Sequence, residues 1–436
     1  MLLLFKVENY KSFREEAAFS MTAAPRQTGL DYSIMKEKIG QKQYSGLSSA
    51  VIYGPNASGK TNLIGAMDTM RAILLRGNIR NSDVITTPNQ AAYMLEYIPN
   101  SHADAAPTSF SIRFIEKELL FEVSFSADLG NFLDKDAPRS IIEESLSVNH
   151  KQVYIRQYNH LEMNIKSLPK EYLKDSGLSD NAINALAESS LNTDELFLCN
   201  GFKTIFSKEL FAVIQNWFEN KFIVIYRSDA IRLMKRFADP HDKTIYVEKT
   251  LNDIAKAFGI TSNALGYRME DDDSVLCSVF KDKKIAIPAE DFESYGTIRL
   301  VTEFPLIIRA LLTGATLVMD EFDASIHPIA LMSIINIFHN DDINRLHAQL
   351  VFNTHNPIFL NASLFRRDEI KFMERDDVTG FSTHYALSDF KTAQGVRKGE
   401  DYMSNYFVSR YGAIKDIDFS PIMEEIMTAA EESNHD

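Results

Sequence analysis

The sequence is poor in cysteine, with only Cys199 and Cys277 in 436 residues. They lie far apart and form no metal-ligand spacing, so both are expected as free thiols in a reducing cytosol. Long hydrophobic runs are also missing. No window approaches 18 uncharged apolar residues, so no membrane span is expected. The opening Met1-Leu2-Leu3-Leu4-Phe5-Lys6-Val7-Glu8 is broken by charge at once and lacks the basic start and small-residue cleavage site of a signal peptide. It reads as a first strand. Positive charge is short as well: 46 Lys and Arg stand against 60 Asp and Glu, a net charge of −14. That balance argues against a surface that coats nucleic acid non-specifically, while a local basic groove stays open. Between about Leu161 and Ala255 the hydrophobics form no sustained heptad, which argues against a long coiled-coil arm. The expectation is a cytoplasmic protein with no membrane partner. Its length suits two or three domains, or one large domain with an insertion.

What is present centres on Gly54-Pro55-Asn56-Ala57-Ser58-Gly59-Lys60-Thr61, which fits the phosphate-binding loop G-x-x-x-x-G-K-[ST]. Ser49-Ala50-Val51-Ile52-Tyr53 before it is short, apolar and suited to a buried parallel strand. Leu63, Ile64, Met67, Met70 and Leu74 after it recur at helical spacing. Strand, glycine loop and helix point backbone N–H groups and the positive helix end at an anion. Lys60 would reach the β- and γ-phosphates of ATP, and Thr61 would ligate Mg²⁺.

Upstream of that loop, residues 1–25 read as paired strands, and Pro25 to Tyr44 as a polar, mobile stretch. Downstream, Ser109–Ile115 and Leu119–Phe125 alternate as two strands, with Glu116-Lys117-Glu118 as the turn between them. Ser145–Val148 and Gln152–Ile155 extend that hairpin. From about Leu161 to Ala255 the composition turns helical, with runs at Asn181–Ser190, Leu210–Asn220 and Ala230–Phe237. Trp217 is expected in a core. Asp271-Asp272-Asp273 reads as a solvated turn, with metal binding as the less favoured alternative.

Two later strands carry polar ends. Thr316-Leu317-Val318-Met319 leads into Asp320-Glu321, and Ala348–Asn353 leads into Thr354-His355. The carboxyl ends of buried strands are where α/β sheets place ligand chemistry. Asp320 would hold Mg²⁺, directly or through water, and Glu321 would orient and deprotonate the attacking water. His355 is read as a γ-phosphate contact, with an ordinary core or surface histidine as the alternative.

This order of motifs resembles the ABC-type ATPases, and within them the RecF/SMC-like branch. Ser294-Tyr295-Gly296-Thr297 stands where that family has its signature, Phe322-Asp323-Ala324-Ser325 where it has its D-loop, and His355 where it has its H-loop. Val7–Phe13, the glycine loop, Asp320–Pro328 and Arg410–Ile414 resemble phrases of the RloA/AbiL-type ATPases of bacterial anti-phage systems. Three features depart from the family. Asn356 follows the histidine where Asp is usual, the signature lacks a double glycine, and no Q-loop glutamine can be placed.

The resemblance implies an α/β fold: an ABC-type P-loop ATPase head with an antiparallel β lobe and a helical insertion. The expected division is 1–155, 156–275 and 276–436. It implies nucleotide contacts from Lys11, Ser12, Phe13, Asn56, Ala57, Ser58, Gly59, Lys60, Thr61 and Asn62, and from Ser294, Gly296, Thr297 and Asp323. Ser294 and the Gly296 backbone would cap a nucleotide on a partner's P-loop, giving a homodimer or higher oligomer that closes on ATP. A separately encoded effector in anti-phage defence is the implied partner. A DNA-repair clamp resembling RecF, with DNA as partner, is the alternative. Arg299 is left open between a surface residue and a phosphate contact.

Overall fold

The computed structural model describes the chain apart from residues 26, 100–105, 174–177, 228–251, 258–262, 271–272, 281, 284, 392–398, 416 and 434–436. The strand before the glycine loop, β5 (Ser49–Tyr53), is buried at every position. It lies within a six-stranded sheet of order β11-β15-β16-β5-β17-β18. Its neighbours are β11 (Phe222–Ile225), β15 (Thr316–Met319), β16 (Gln349–Asn353), β17 (Ile370–Arg375) and β18 (Ser382–Ala386). Every pairing but the last is parallel. The four central strands are covered on both faces, which is why they read as unbroken apolar runs. Alternate side chains of β5 serve opposite faces. Ala50 and Ile52 pack with Leu63 and Met67 of the P-loop helix Lys60–Arg76, while Val51 and Tyr53 pack with Leu331 and Ile335 of the helix Pro328–Phe338.

A second, antiparallel sheet joins the N-terminus to the middle of the chain. It holds β1 (Leu2–Glu8), β2 (Ala17–Ser20), β6 (Thr108–Glu116), β7 (Leu119–Asp128), β8 (Ser140–Val148), β9 (Lys151–Gln157) and β10 (His160–Met163), in the order β10-β9-β8-β7-β6-β1-β2. The expected hairpin is β6–β7. Its turn is Lys117 and Glu118, both at positive φ, the backbone hand that suits a two-residue hairpin loop. Phe110, Ile112, Phe114, Phe121, Val123 and Phe125 form its inner face.

Under that face sits Trp217, fully buried as the sequence predicts. Its ring stacks on Phe114 at 3.9 Å and on Phe222 at 5.0 Å, and meets Phe218 edge-on at 4.9 Å. Phe114 belongs to the antiparallel lobe and Phe222 to the parallel sheet, so this stack joins the two.

Two expectations fail. The polar stretch from Pro25 to Tyr44 contains most of a hairpin, β3 (Ile34–Ile39) with β4 (Lys42–Leu47), whose Met35 packs on Met1, Leu3, Ile115 and Leu120. The segment 156–275 is not one helical insertion. Helices occupy Asp180–Ser189 and Lys208–Asn216, but β9 and β10 belong to the antiparallel lobe and β11 to the main sheet. Long-range strand pairing overrides the local helical composition there. A third sheet, β12 (Ala264–Glu270), β13 (Asp273–Phe280) and β14 (Ile285–Pro288), follows. The helical run at Ala230–Phe237 and the residues Asp271 and Asp272 lie outside the described residues.

Candidate nucleotide site

Because the five strands are parallel, their carboxyl ends share one edge, and the polar residues that follow them meet there. β5 gives the glycine loop, β15 gives Asp320 and Glu321, and β16 gives Asn353, Thr354 and His355. Asp320 N–H donates to the Ile225 carbonyl at 3.0 Å, and Thr354 N–H to the Ile52 carbonyl at 3.1 Å, so the strand ends are laced together beyond the sheet proper.

The glycine loop wraps a buried floor. Gly59 has φ +107, and a Cβ there would sit 2.5 Å from Ser382 Oγ. Ser382 Oγ donates to Ser12 Oγ at 2.8 Å, and Asn62 Nδ2 donates to the same Ser12 oxygen at 2.8 Å. Ser12 therefore supports the loop from below. Lys60 Nζ turns back onto the carbonyls of Gly54 at 2.7 Å and Pro55 at 2.9 Å. Burial pulls its pKa down to about 8, against the upward pull of Asp320, Glu321 and Asp323. Ser58 Oγ is buried with no hydrogen-bond partner, while Asn56 and Ala57 are exposed at the loop tip.

Asp320 is buried, and burial raises its carboxyl above the usual range. Thr61 Oγ1 donates to Asp320 Oδ1 at 3.1 Å, so the two expected Mg²⁺ ligands already touch. The link that sequence reasoning missed is Asn353. Its amide donates to Asp320 Oδ1, and its carbonyl oxygen accepts from the Glu321 backbone N–H. One buried side chain thus holds both acids in register, and its place at the end of β16 was the available signal. Glu321 is exposed and holds a left-handed backbone, φ +51. Thr354 Oγ1 donates to Asp323 Oδ2, whose carboxyl is raised by burial. His355 is exposed, lies within electrostatic reach of Lys60, and is held below the usual histidine range by desolvation and then by that ammonium.

Other expected contacts sit differently. Phe13 is fully buried in the core, so its ring is not on the nucleotide edge. Lys11 lies between the rings of Tyr10 and Tyr226, at 5.5 and 5.6 Å, and desolvation lowers its pKa to about 8. Ser294 caps the helix Tyr295–Thr313, accepting from Thr297 N–H at 3.2 Å. Among the described residues, Ser294, Gly296 and Thr297 make no hydrogen bond to the P-loop of their own chain. Gly296 instead abuts the D-loop, where a Cβ would overlap the Ser325 carbonyl oxygen. Arg299 is neither a surface residue nor a phosphate contact. It is buried, pairs with Glu303 at 2.8 Å, and donates to the Glu321 carbonyl.

The residues fit ATP and Mg²⁺: an amide-lined loop with an orphaned buried hydroxyl, a lysine parked on carbonyls it can leave, and a hydroxyl–carboxylate pair of the hard-oxygen type. Among the described residues no cluster of three His, Cys, Asp or Glu offers an alternative metal centre, and no helix is long and apolar enough to cross a membrane. Parallel sheet, glycine loop and the acid pair beside it define a P-loop nucleotide-binding head of mixed α/β class.

Residues 49–361 match the family described as AAA domain, putative AbiEii toxin, type IV TA system, and the chain belongs to it. No curated protein matches the chain. Loose structural likenesses are to SMC heads. One is bound to the C-winged helix domain of ScpA, at 12% identity and TM-score 0.42, with 91% of this chain and 99% of that one covered. Another is from Thermotoga maritima, at 13% and 0.37, covering 88% and 98%. A third, with a coiled coil and joint derived from Pyrococcus yayanosii, stands at 10% and 0.41, covering 88% and 96%.

Proposed function

We propose that the chain hydrolyses Mg²⁺-ATP, that two heads close around the nucleotide, and that this cycle controls a separate toxic effector in anti-phage defence of the RloA/AbiL kind. One observation carries the ATPase reading: Asp320 is shared by Thr61 and Asn353, on the edge that also holds Lys60 and Glu321. The defence reading rests on the sequence phrases given above and on the toxin–antitoxin description of the family. The cytoplasm is the compartment in which such a cycle would run.

Bound Mg²⁺-ATP supplies a polarised phosphoryl group and its leaving group. The chain's residues do the rest. Lys60 would exchange the Gly54 and Pro55 carbonyls for the phosphate oxygens, and Thr61 with Asp320 would hold the metal. Glu321 takes the proton of the attacking water, and its backbone is held by Asn353 at the N–H and by Arg299 at the carbonyl. His355 donates toward the terminal phosphate. Ser294 of a second copy completes the pocket.

Glu321→Gln keeps the shape and loses the base, so a closed pair should accumulate with ATP in sedimentation. Adding Ser294→Asp keeps the helix cap, since Asp caps as well as Ser, but sets a carboxylate against the partner's phosphate. The double variant should bind ATP and stay open. Equal mass with and without ATP in Glu321→Gln overturns closure; for a constitutive oligomer the readout becomes the distance between two labelled heads. Co-purification with the neighbouring gene product tests the effector.

A further inference from the structure

Strand β11 runs parallel to β15, so it delivers Tyr226-Arg227 to the same carboxyl edge as Asp320 and Glu321. Its end is tied to the metal acid at two points. The Ile225 carbonyl accepts from Asp320 N–H at 3.0 Å, and Arg227 N–H donates to the Asp320 carboxylate. Arg227 holds φ +57, a left-handed backbone that an L-residue adopts only at a cost. Such conformations gather at functional sites, where the surrounding contacts enforce them.

The side chain of Arg227 is exposed, and its guanidinium stands 5.4 Å from the centre of the Tyr226 ring. Tyr226 is buried against the P-loop helix, where a Cβ on Gly65 would come within 2.9 Å of its ring. Among the described residues the Arg227 guanidinium forms no ion pair. The Lys11 ammonium lies 5.6 Å from the same ring, and among the described residues no hydrogen bond holds it. Burial lowers the Lys11 pKa to about 8, and the charge of Arg227 lowers it more than Asp68 raises it. The pair is therefore short of negative charge. Asp320 does not supply it, since its carboxylate is engaged by Thr61, Asn353 and the Arg227 amide.

We propose that Arg227 is a further phosphate contact, one that leaves Tyr226 when ATP binds and forks onto the terminal phosphate. This rests on the ATPase reading above and adds a residue to it. A guanidinium fork matches phosphate oxygens in geometry. From a backbone one hydrogen bond away from Asp320, an extended arginine covers the space where a metal-bound phosphate must lie. The strand order β11-β15-β16-β5 sets the direction of approach. Lys60 reaches the phosphate from the β5 side and Arg227 from the β11 side, with Asp320 between them. Release of the terminal phosphate returns Arg227 to Tyr226, so ADP does not engage it.

The test compares Mg²⁺-ATP and Mg²⁺-ADP binding by calorimetry, in the full chain carrying Glu321→Gln to stop turnover. Adding Arg227→Gln should weaken ATP roughly tenfold or more and leave ADP within about twofold. Arg227→Lys, which keeps the charge and loses the fork, should recover part of the ATP loss. ATP binding that Arg227→Gln leaves unchanged overturns the proposal. Equal weakening of ATP and ADP overturns it too, since that marks a fault in the fold or a contact elsewhere on the nucleotide. Both results leave the ATPase reading standing, whereas no binding of either nucleotide to the Glu321→Gln chain overturns that reading and this proposal together.

Discussion

The aromatic joint beneath the antiparallel lobe and the carboxyl edge of the parallel sheet are built on opposite terms. At the joint, Trp217 lies between Phe114 and Phe222 with ring planes 13° apart in both pairs. Such contacts add about 1 kcal/mol each beyond burial. Its indole N–H has no hydrogen-bond partner, a local cost the packing outweighs. The edge does the reverse. Ala57, Glu321 and Ser325 all hold positive φ, at roughly 1–2 kcal/mol apiece. Lys60 and Asp320 are buried and desolvated. Stability is concentrated where nothing reacts, and strain and desolvation where the chemistry is read. Rigid packing at one place lets the other hold an unfavourable arrangement.

Lys60→Ala should break this contrast from the chemical side. It removes a preorganised cation, and ATP turnover should fall on the order of 10³-fold or more with the melting temperature nearly unchanged. A comparable fall in melting temperature would mean that the edge carries stability after all. Trp217→Ala is the converse. We expect a loss of about 3–5 kcal/mol in denaturant unfolding, with turnover per folded molecule preserved. If turnover falls first, the joint and the edge are coupled.

Asn353→Ser sharpens the comparison within the edge. It keeps a polar group but cannot bridge Asp320 and the Glu321 amide, so turnover should drop ~10–100-fold and need more Mg²⁺. Loss of stability with no change in Mg²⁺ dependence would make Asn353 merely structural. The smallest effect concerns pH. Burial lowers Lys60 below an ordinary lysine, to about 8, so desolvation favours its neutral form. Its charge, present below that value, is lost as pH rises through it. The KM for ATP should therefore rise about tenfold per pH unit above 8, and Lys60→Arg should flatten that rise. A flat wild-type profile to pH 9 would show that the ammonium is not desolvated.

The same contrast explains what could be read in the sequence. The glycine loop, β15 and β16 announce themselves because strands buried on both faces are short apolar runs ending in the residues they position. The β6–β7 hairpin follows from its alternation. Strand β11 does not announce itself. It is four residues long, sits in helical composition, and pairs with a strand about ninety residues later. The β3–β4 hairpin is hidden by its charged run Lys36, Glu37 and Lys38. Asn353 was passed over because a neutral amide at a strand end suggests no chemistry until its two partners are seen. Arg299 stayed open because an arginine two residues after a signature-like motif suits a helix surface as well as a phosphate, and only its burial beside Glu303 shows what it pairs with.

Strand order also fixes when the site can exist during synthesis. β5 ends at Tyr53, and its partners β16 and β17 begin at Gln349 and Ile370. At about 5–20 residues per second, the ribosome needs roughly 15–60 s to deliver the first of them. The strands β1, β2 and β6 to β10 are complete by Met163, so the antiparallel lobe can be assembled while β5 still waits. A nascent chain would thus carry a finished lobe, an unpaired apolar strand and a glycine loop with nothing to oppose it. Its nucleotide pocket closes only after β16 and β17 have been made, at Asn353 and Arg375.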